Sequence, residues 1–363
     1  MQKNCLLKNC LPNYSHWRGS MSSPYNTYYA VKTKLTAKKG RIFKKIDWDK
    51  ILDFTSVEQL IDYLKKSETF QSILKDVKSD IHRDNLETIL GRYKTFEIEE
   101  LLHYYSGAYK EFIKSFLTEA DLTDISLIFR KIARNEDLKD IEERFIHSWE
   151  FTNIQYDKLL SAKNIHELIE NLKGTPYYND LRGLSSEDAI KREFHIEMKL
   201  YVTYYKAQLK MADKLNKDDR EAVKNIIGTK IDILNVLWIH RAKNYYHITP
   251  AEMLNYSLEG GKDLTFDKLR KLCFAEKGKD FDEAAEAALG EKFRNDLNNI
   301  DTSLAMNYFM YSYLNKNAFE NLGLTLTYIY MLDIIINNLT TITEGIKYHL
   351  PKHNLKKYLV YKI

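Results

Sequence analysis

Ser56-Val57-Glu58-Gln59-Leu60-Ile61-Asp62-Tyr63-Leu64-Lys65 returns 108 positions later as Asn164-Ile165-His166-Glu167-Leu168-Ile169-Glu170-Asn171-Leu172-Lys173. Each copy opens on a short polar residue, Ser56 or Asn164, of the type whose side chain accepts the backbone N–H three residues on and starts a helix. Each then spaces its apolar residues by three and four, which gathers them on one helical face. A Ser/Thr and an aromatic follow in both: Ser67 and Phe70, then Thr175 and Tyr178. A weaker third copy begins at Thr265 with Phe266, Leu269 and Cys273. Recurrence of one helical unit along a chain is the mark of repeat architecture, in which each unit buries its apolar face against the next.

A second motif recurs downstream of the first. Asp121-Leu122-Thr123-Asp124-Ile125, with Ile128 and Arg130, matches Asp232-Ile233-Leu234-Asn235-Val236, with Ile239 and Arg241, at an offset of 111. The third copy lies 103 residues beyond the second and keeps Asn338, Leu339 and Ile342. It carries Ile335 where Asp stands in the others, and Glu344 where they have Arg. Two motifs in one order at nearly one offset argue for three units, each a small helical knot, a long helix and a motif helix. The boundaries fall at residues 21–147, 148–247 and 248–363. Residues 1–20 read differently and are expected to be an extension without packed structure.

The fold class expected is all-α. Apolar spacing predicts one long helix over Asp84–Phe116, and a second opening at Ser185 with Asp188 in a capping-box position. Further helices are predicted over Asn225–Tyr246, closed by Thr249-Pro250, then over Glu291–Asn317 and Leu322–Tyr348, the last ended by Pro351. Lys357–Ile363 is the one candidate strand. The run Leu322–Leu339 is apolar enough to raise a membrane span, but it contains Asp333, Asn337 and Asn338. A charge near a bilayer centre costs about 3 kcal/mol on insertion scales, so the run reads as a buried core helix.

Composition narrows the function. The 55 basic and 51 acidic residues give a net charge of +4, short of the basic excess of a dedicated nucleic-acid binder. The 26 tyrosines read as compositional bias ahead of a base-stacking surface. Cys5, Cys10 and Cys273 form neither a disulfide framework nor a zinc pattern, and a reducing compartment fits them.

No catalytic, cofactor or metal site is legible. Gly260-Gly261-Lys262 lacks the Ser/Thr and the first Gly of a phosphate loop and reads as a turn. The ten histidines show no zinc-binding pair carrying a Glu, and no nucleophile elbow occurs. Asp232 and Arg241, nine residues apart, fall on opposite faces of a helix. Structural roles are expected: Asp232 near the helix start and Arg241 near its end would both suit the helix dipole. The sharpest local charge is the run Lys32, Lys34, Lys38, Lys39, Arg41, Lys44 and Lys45. Of these, Lys38, Lys39, Arg41 and Lys44 are the candidate partner-binding residues, for an acidic protein or anionic headgroups.

With these residues in view, the chain resembles the C subunits of the prokaryotic V-type ATPases (V/A-type ATP synthases), relatives of the eukaryotic d subunit. The resemblance rests on Gly228–Tyr246, with Asp232, Asn235 and Arg241 in the family's acidic, Asn and Arg positions. It rests also on the opening Tyr28-Tyr29-Ala30-Val31-Lys32-Thr33-Lys34 and the closing Asn338-Leu339-Thr340-Thr341-Ile342-Thr343-Glu344-Gly345. In that last motif Ile335 and Thr340 replace the usual acidic and basic residues. The resemblance implies a three-lobed, all-helical funnel with pseudo-threefold symmetry. It implies a non-catalytic subunit, peripheral on the cytoplasmic face of the membrane, that joins the central-stalk shaft to the rotor ring and serves H+ or Na+ transport. Two other classes stay open on the residues alone: an unrelated helical scaffold, and a nucleic-acid binder using Tyr and the basic helix.

Overall fold

The computed structural model describes residues 24–79, 81–184, 193–246, 248–290, 302–317 and 319–360. Seven long helices carry the architecture: α1 (Pro24–Arg41), α2 (Arg83–Leu102), α3 (Thr118–Ala133), α4 (Glu193–Ala212), α5 (Lys217–Arg241), α6 (Thr302–Lys316) and α7 (Asn321–Lys347). Between them lie short helices, and no strand occurs among the described residues. The expected all-α class holds. Lys357 and Tyr358 of the candidate strand belong to a 3-10 turn instead, Lys356–Tyr358, and the last three residues of that candidate lie outside the described ones.

The knots form as read. Ser56 Oγ accepts the Gln59 N–H, and Asn164 Oδ1 accepts the Glu167 N–H at 2.9 Å. Behind these caps, Leu60, Ile61 and Leu64 are buried in one copy and Ile165, Leu168 and Ile169 in the other. The third copy makes its helix at Phe266–Phe274, but Thr265 accepts no capping bond.

Three expectations need correction. The predicted helix over Asp84–Phe116 breaks after Leu102, and a separate helix opens at Gly107, whose left-handed conformation (φ +55°) glycine tolerates. Thr249-Pro250 starts a helix rather than closing one: Thr249 and Glu252 form a capping box, with Pro250 at the first position. Finally, α5 begins at Lys217 behind the Asn216 cap, not at Asn225. Asp232 is therefore deep inside the helix, and the dipole account of it fails; Arg241 does close the α-helical segment. The Ser185 cap lies outside the described residues, as does the first part of the Glu291–Asn317 helix.

The order of packing closes on itself. Motif helix α3 packs on α4, motif helix α5 on α6, and motif helix α7 returns to α2. The first two motif helices thus pack against the long helix that follows each in the chain, and the last packs against the first long helix. Helix α7 is long and apolar enough to cross a membrane by composition, but 78% of its apolar window is buried within the protein. Among its buried residues are Leu322, Leu326, Ile329, Leu339 and Ile342, so the core-helix reading of this segment agrees with its surroundings.

Candidate functional site

The repeated polar residues of the motif helices fasten backbone. Asn235 donates its side-chain amide to the Leu258 carbonyl (2.9 Å) and accepts the Leu258 N–H (2.7 Å). Asn338 does the same to Val360, at 2.7 and 2.9 Å. In the first unit Asp124 takes the place of Asn and accepts the N–H groups of Ile146 (3.0 Å) and His147 (2.9 Å), with His147 Nδ1 at 2.8 Å. The clamped residue stands 22 or 23 positions beyond its clamp in every unit. All three clamps are buried. A buried peptide group left unpaired costs about 1–3 kcal/mol, so each clamp fixes where the chain leaves its motif helix.

The first acidic position adds a second clamp in two units. Asp121 accepts from the Thr152 hydroxyl (2.7 Å) and the Tyr156 hydroxyl (2.9 Å). Asp232 accepts the N–H groups of Asp263 (2.7 Å) and Leu264 (3.1 Å). The Gly260-Gly261 turn lies against α5 here, and a Cβ on Gly261 would overlap the Asp232 carboxylate. Burial raises the Asp232 carboxyl to about 6, against the pull of those N–H donors, and burial likewise raises Asp121. In the third unit the position is Ile335, buried and apolar. Arg130 and Arg241 sit in the last turns of their helices, where cations suit the dipole. These residues act on the fold, and none of them converges on a common site.

The residues that join the units were not legible as motifs. Asp219 of α5 accepts the Tyr109 hydroxyl (2.8 Å) and also the Leu322 N–H at the start of α7 (3.2 Å), so one carboxylate ties together three segments far apart in the chain. Beside it Tyr105 and Thr325 share a hydroxyl hydrogen bond of 2.6 Å. Glu97 of α2 is buried and pairs with Lys38 of α1 while accepting the Tyr328 hydroxyl of α7 (2.6 Å).

Where α2, α3 and α7 meet, Lys94 bridges Glu119 (2.7 Å) and Asp333. The three side chains keep 16–20% of their surface open. The neighbouring Lys230 of α5 lies over the Tyr330 ring, 5.8 Å from its centroid. Burial holds Asp333 above the usual carboxylate range, with Lys94 pulling against it and Glu119 adding to it. Burial also pushes on Glu119, but Lys94 and then Lys230 outweigh it and the group ends lowered. Asp333 was the one sequence signal here, as a charge stranded in an apolar helix.

Of the candidate partner-binding residues, Lys38 is turned inward to Glu97, and Arg41 pairs with Glu68 at 3.0 Å on the surface. Lys39 and Lys44, with Lys45, border a cleft between the end of α1 and helix α7. Among the described residues no cluster of His, Cys, Asp or Glu could hold a metal ion.

Residues 31–358 match the ATP synthase (C/AC39) subunit family. The chain belongs to that family. The A-type ATP synthase C subunit of Archaeoglobus fulgidus is 27% identical over 344 residues, covering 92% of this chain and 95% of the relative. The corresponding C subunit of Methanosarcina mazei is 25% identical over 251 residues, covering 69% and 68%. As a C/AC39 protein the chain is a non-catalytic subunit of a rotary, membrane-associated ATP synthase, and the alternative of an unrelated scaffold falls away. The match spans all three motif helices, and with them the clamping residues Asp124, Asn235 and Asn338.

Proposed function

We propose that this subunit is a socket between the central rotor shaft and the proteolipid ring, carrying torque between ATP chemistry in the head and H+ or Na+ movement in the membrane. It would lie on the cytoplasmic side, as a funnel whose lobes are residues 21–147, 148–247 and 248–363. The observation that supports this most is the closed packing order, α3 on α4, α5 on α6 and α7 on α2. A torque-bearing part must not shear, and a ring of helix pairs has no free end at which slip can start. Close-packed interiors have low compressibility and transmit strain. Asp219, Glu97 and the Lys94 bridge add polar ties across the unit boundaries. Permanent docking to shaft and ring calls for interfaces of about 2,000 Å² or more.

The test is an affinity-tagged copy of the whole chain, recovered from detergent-solubilised membranes. Shaft and ring subunits should be recovered with it in constant ratio. Recovery of the head and shaft with no ring subunit, under conditions that keep the ring intact, would overturn the socket reading.

A further inference from the structure

The second and third units treat the same place differently. In the second, Gly228, Ile231 and Asp232 of α5 form the seat on which the chain lies at Gly260–Leu264. A Cβ on Gly228 would come within 2.9 Å of the Lys262 nitrogen, and Asp232 takes the N–H groups of Asp263 and Leu264. The counterparts 103 residues on are Met331, Ile334 and Ile335, and all three line the cleft beside Asn338 and Val360. Its volume is 470 Å³, inside the range of about 300–1,000 Å³ typical of ligand sites. Phe43, Trp48 and Tyr311 complete its apolar wall.

Met331 and Ile335 replace the glycine and the aspartate that bring a peptide backbone close in the second unit. In the third seat these side chains hold a backbone away from α7 and put no carboxylate where Asp232 accepts N–H groups. The seat suits a large apolar side chain instead. Its mouth is basic: Lys39, Lys44 and Lys45 border it, and among the described residues none of their ammonium groups pairs with a carboxylate, the Asp47 carboxylate being taken by the Lys44 backbone N–H (2.8 Å). Lys44 and Lys45 are exposed and Lys39 is half-buried.

We infer that this cleft receives an extended segment of another protein of the ATP synthase, anchored by a large apolar side chain and flanked by Asp or Glu that pair with Lys39, Lys44 and Lys45. Two observations choose a peptide as occupant. A turn of polypeptide at Gly260–Leu264 fills the matching seat in the second unit, and the lysine mouth beside an apolar floor complements an acidic, apolar stretch. The inference rests on membership of the synthase and not on which face receives the shaft.

The experiment places a photo-crosslinker in the cleft, Tyr311→p-benzoylphenylalanine, with Lys45→p-benzoylphenylalanine at the mouth as a second label, in the full chain within the assembled complex. Mass spectrometry should map the adduct to a segment of another subunit with Asp or Glu beside a large apolar residue. The triple variant Lys39→Glu, Lys44→Glu, Lys45→Glu should cut its yield by about tenfold, as three exposed pairs become repulsive. A lipid adduct, an adduct confined to this chain, or no adduct in an intact complex overturns the inference. Unlabelled chain assembled in parallel reports on membership of the complex, so loss of the complex and loss of the crosslink are separate results.

Discussion

Asn338 holds Val360 by both sides of its peptide group, giving a hydrogen bond of 2.7 Å to the carbonyl and taking one of 2.9 Å from the N–H. The same embrace joins Asn235 to Leu258. A side-chain amide is the group that can do this, because it offers a donor and an acceptor in one plane. Asp124, with acceptors only, takes two N–H groups instead.

Asn235→Leu should therefore cost more than a typical core change. It strands a buried N–H and a buried C=O, for about 2–4 kcal/mol in all. Asn235→Asp keeps the acceptor alone and buries a charge, so it should not rescue. Thermal melting of the three proteins checks this; a Leu variant as stable as the parent would remove the clamp from the account.

Lys94→Met should destabilise strongly, by about 3 kcal/mol or more, because Glu119 and Asp333 are left enclosed without their bridging cation. Adding Asp333→Leu should recover a good part of the loss, since only one carboxylate then remains. The double-mutant cycle reads this as a coupling energy. Simple additivity would show that the bridge carries no coupling.

The Asp232 carboxyl titrates at about 6 in the folded protein, against 3.8 ordinarily. Its folded value is raised, so its contribution is fully present below about pH 3.8 and is lost as pH climbs through about 6. Relative to Asp232→Asn, which cannot titrate, the parent should lose up to about 3 kcal/mol between pH 4 and pH 7. Denaturant titrations at those two pH values measure it. A difference that does not move with pH contradicts the assignment.

Gly261→Ala should cost about 1–3 kcal/mol, as overpacking against the Asp232 carboxylate forces the turn off its seat. The penalty should shrink in an Asp232→Ala background, where the obstructing oxygen is gone. Equal penalties in both backgrounds would place the strain elsewhere.

Much of this is open to reading along the chain. The caps at Ser56 and Asn164, the burial of Leu60, Leu64, Leu168 and Ile169, and the core nature of α7 all follow from local periodicity. Recurrence picks out the motif residues Asp121, Asp124, Asp232, Asn235 and Asn338, but it does not tell what they hold. Helix starts are the weak point: the dipole role expected of Asp232 fails because α5 begins at Lys217. Lys38 reads as one of several surface lysines, yet its partner is Glu97, 59 residues away.

By itself the sequence determined the helical class, the threefold recurrence and the family, since each is written in spacings of three and four residues and in motif order. Tertiary structure alone decided that α7 closes back on α2, that Asp219 joins Tyr109 to the start of α7, and that Ile335 lines a cleft where Asp232 grips a turn. The physical reason is range. Helix formation and capping are settled within a few residues, whereas Tyr328 reaches Glu97 across 231 positions of chain, and only packing brings such partners within hydrogen-bonding distance.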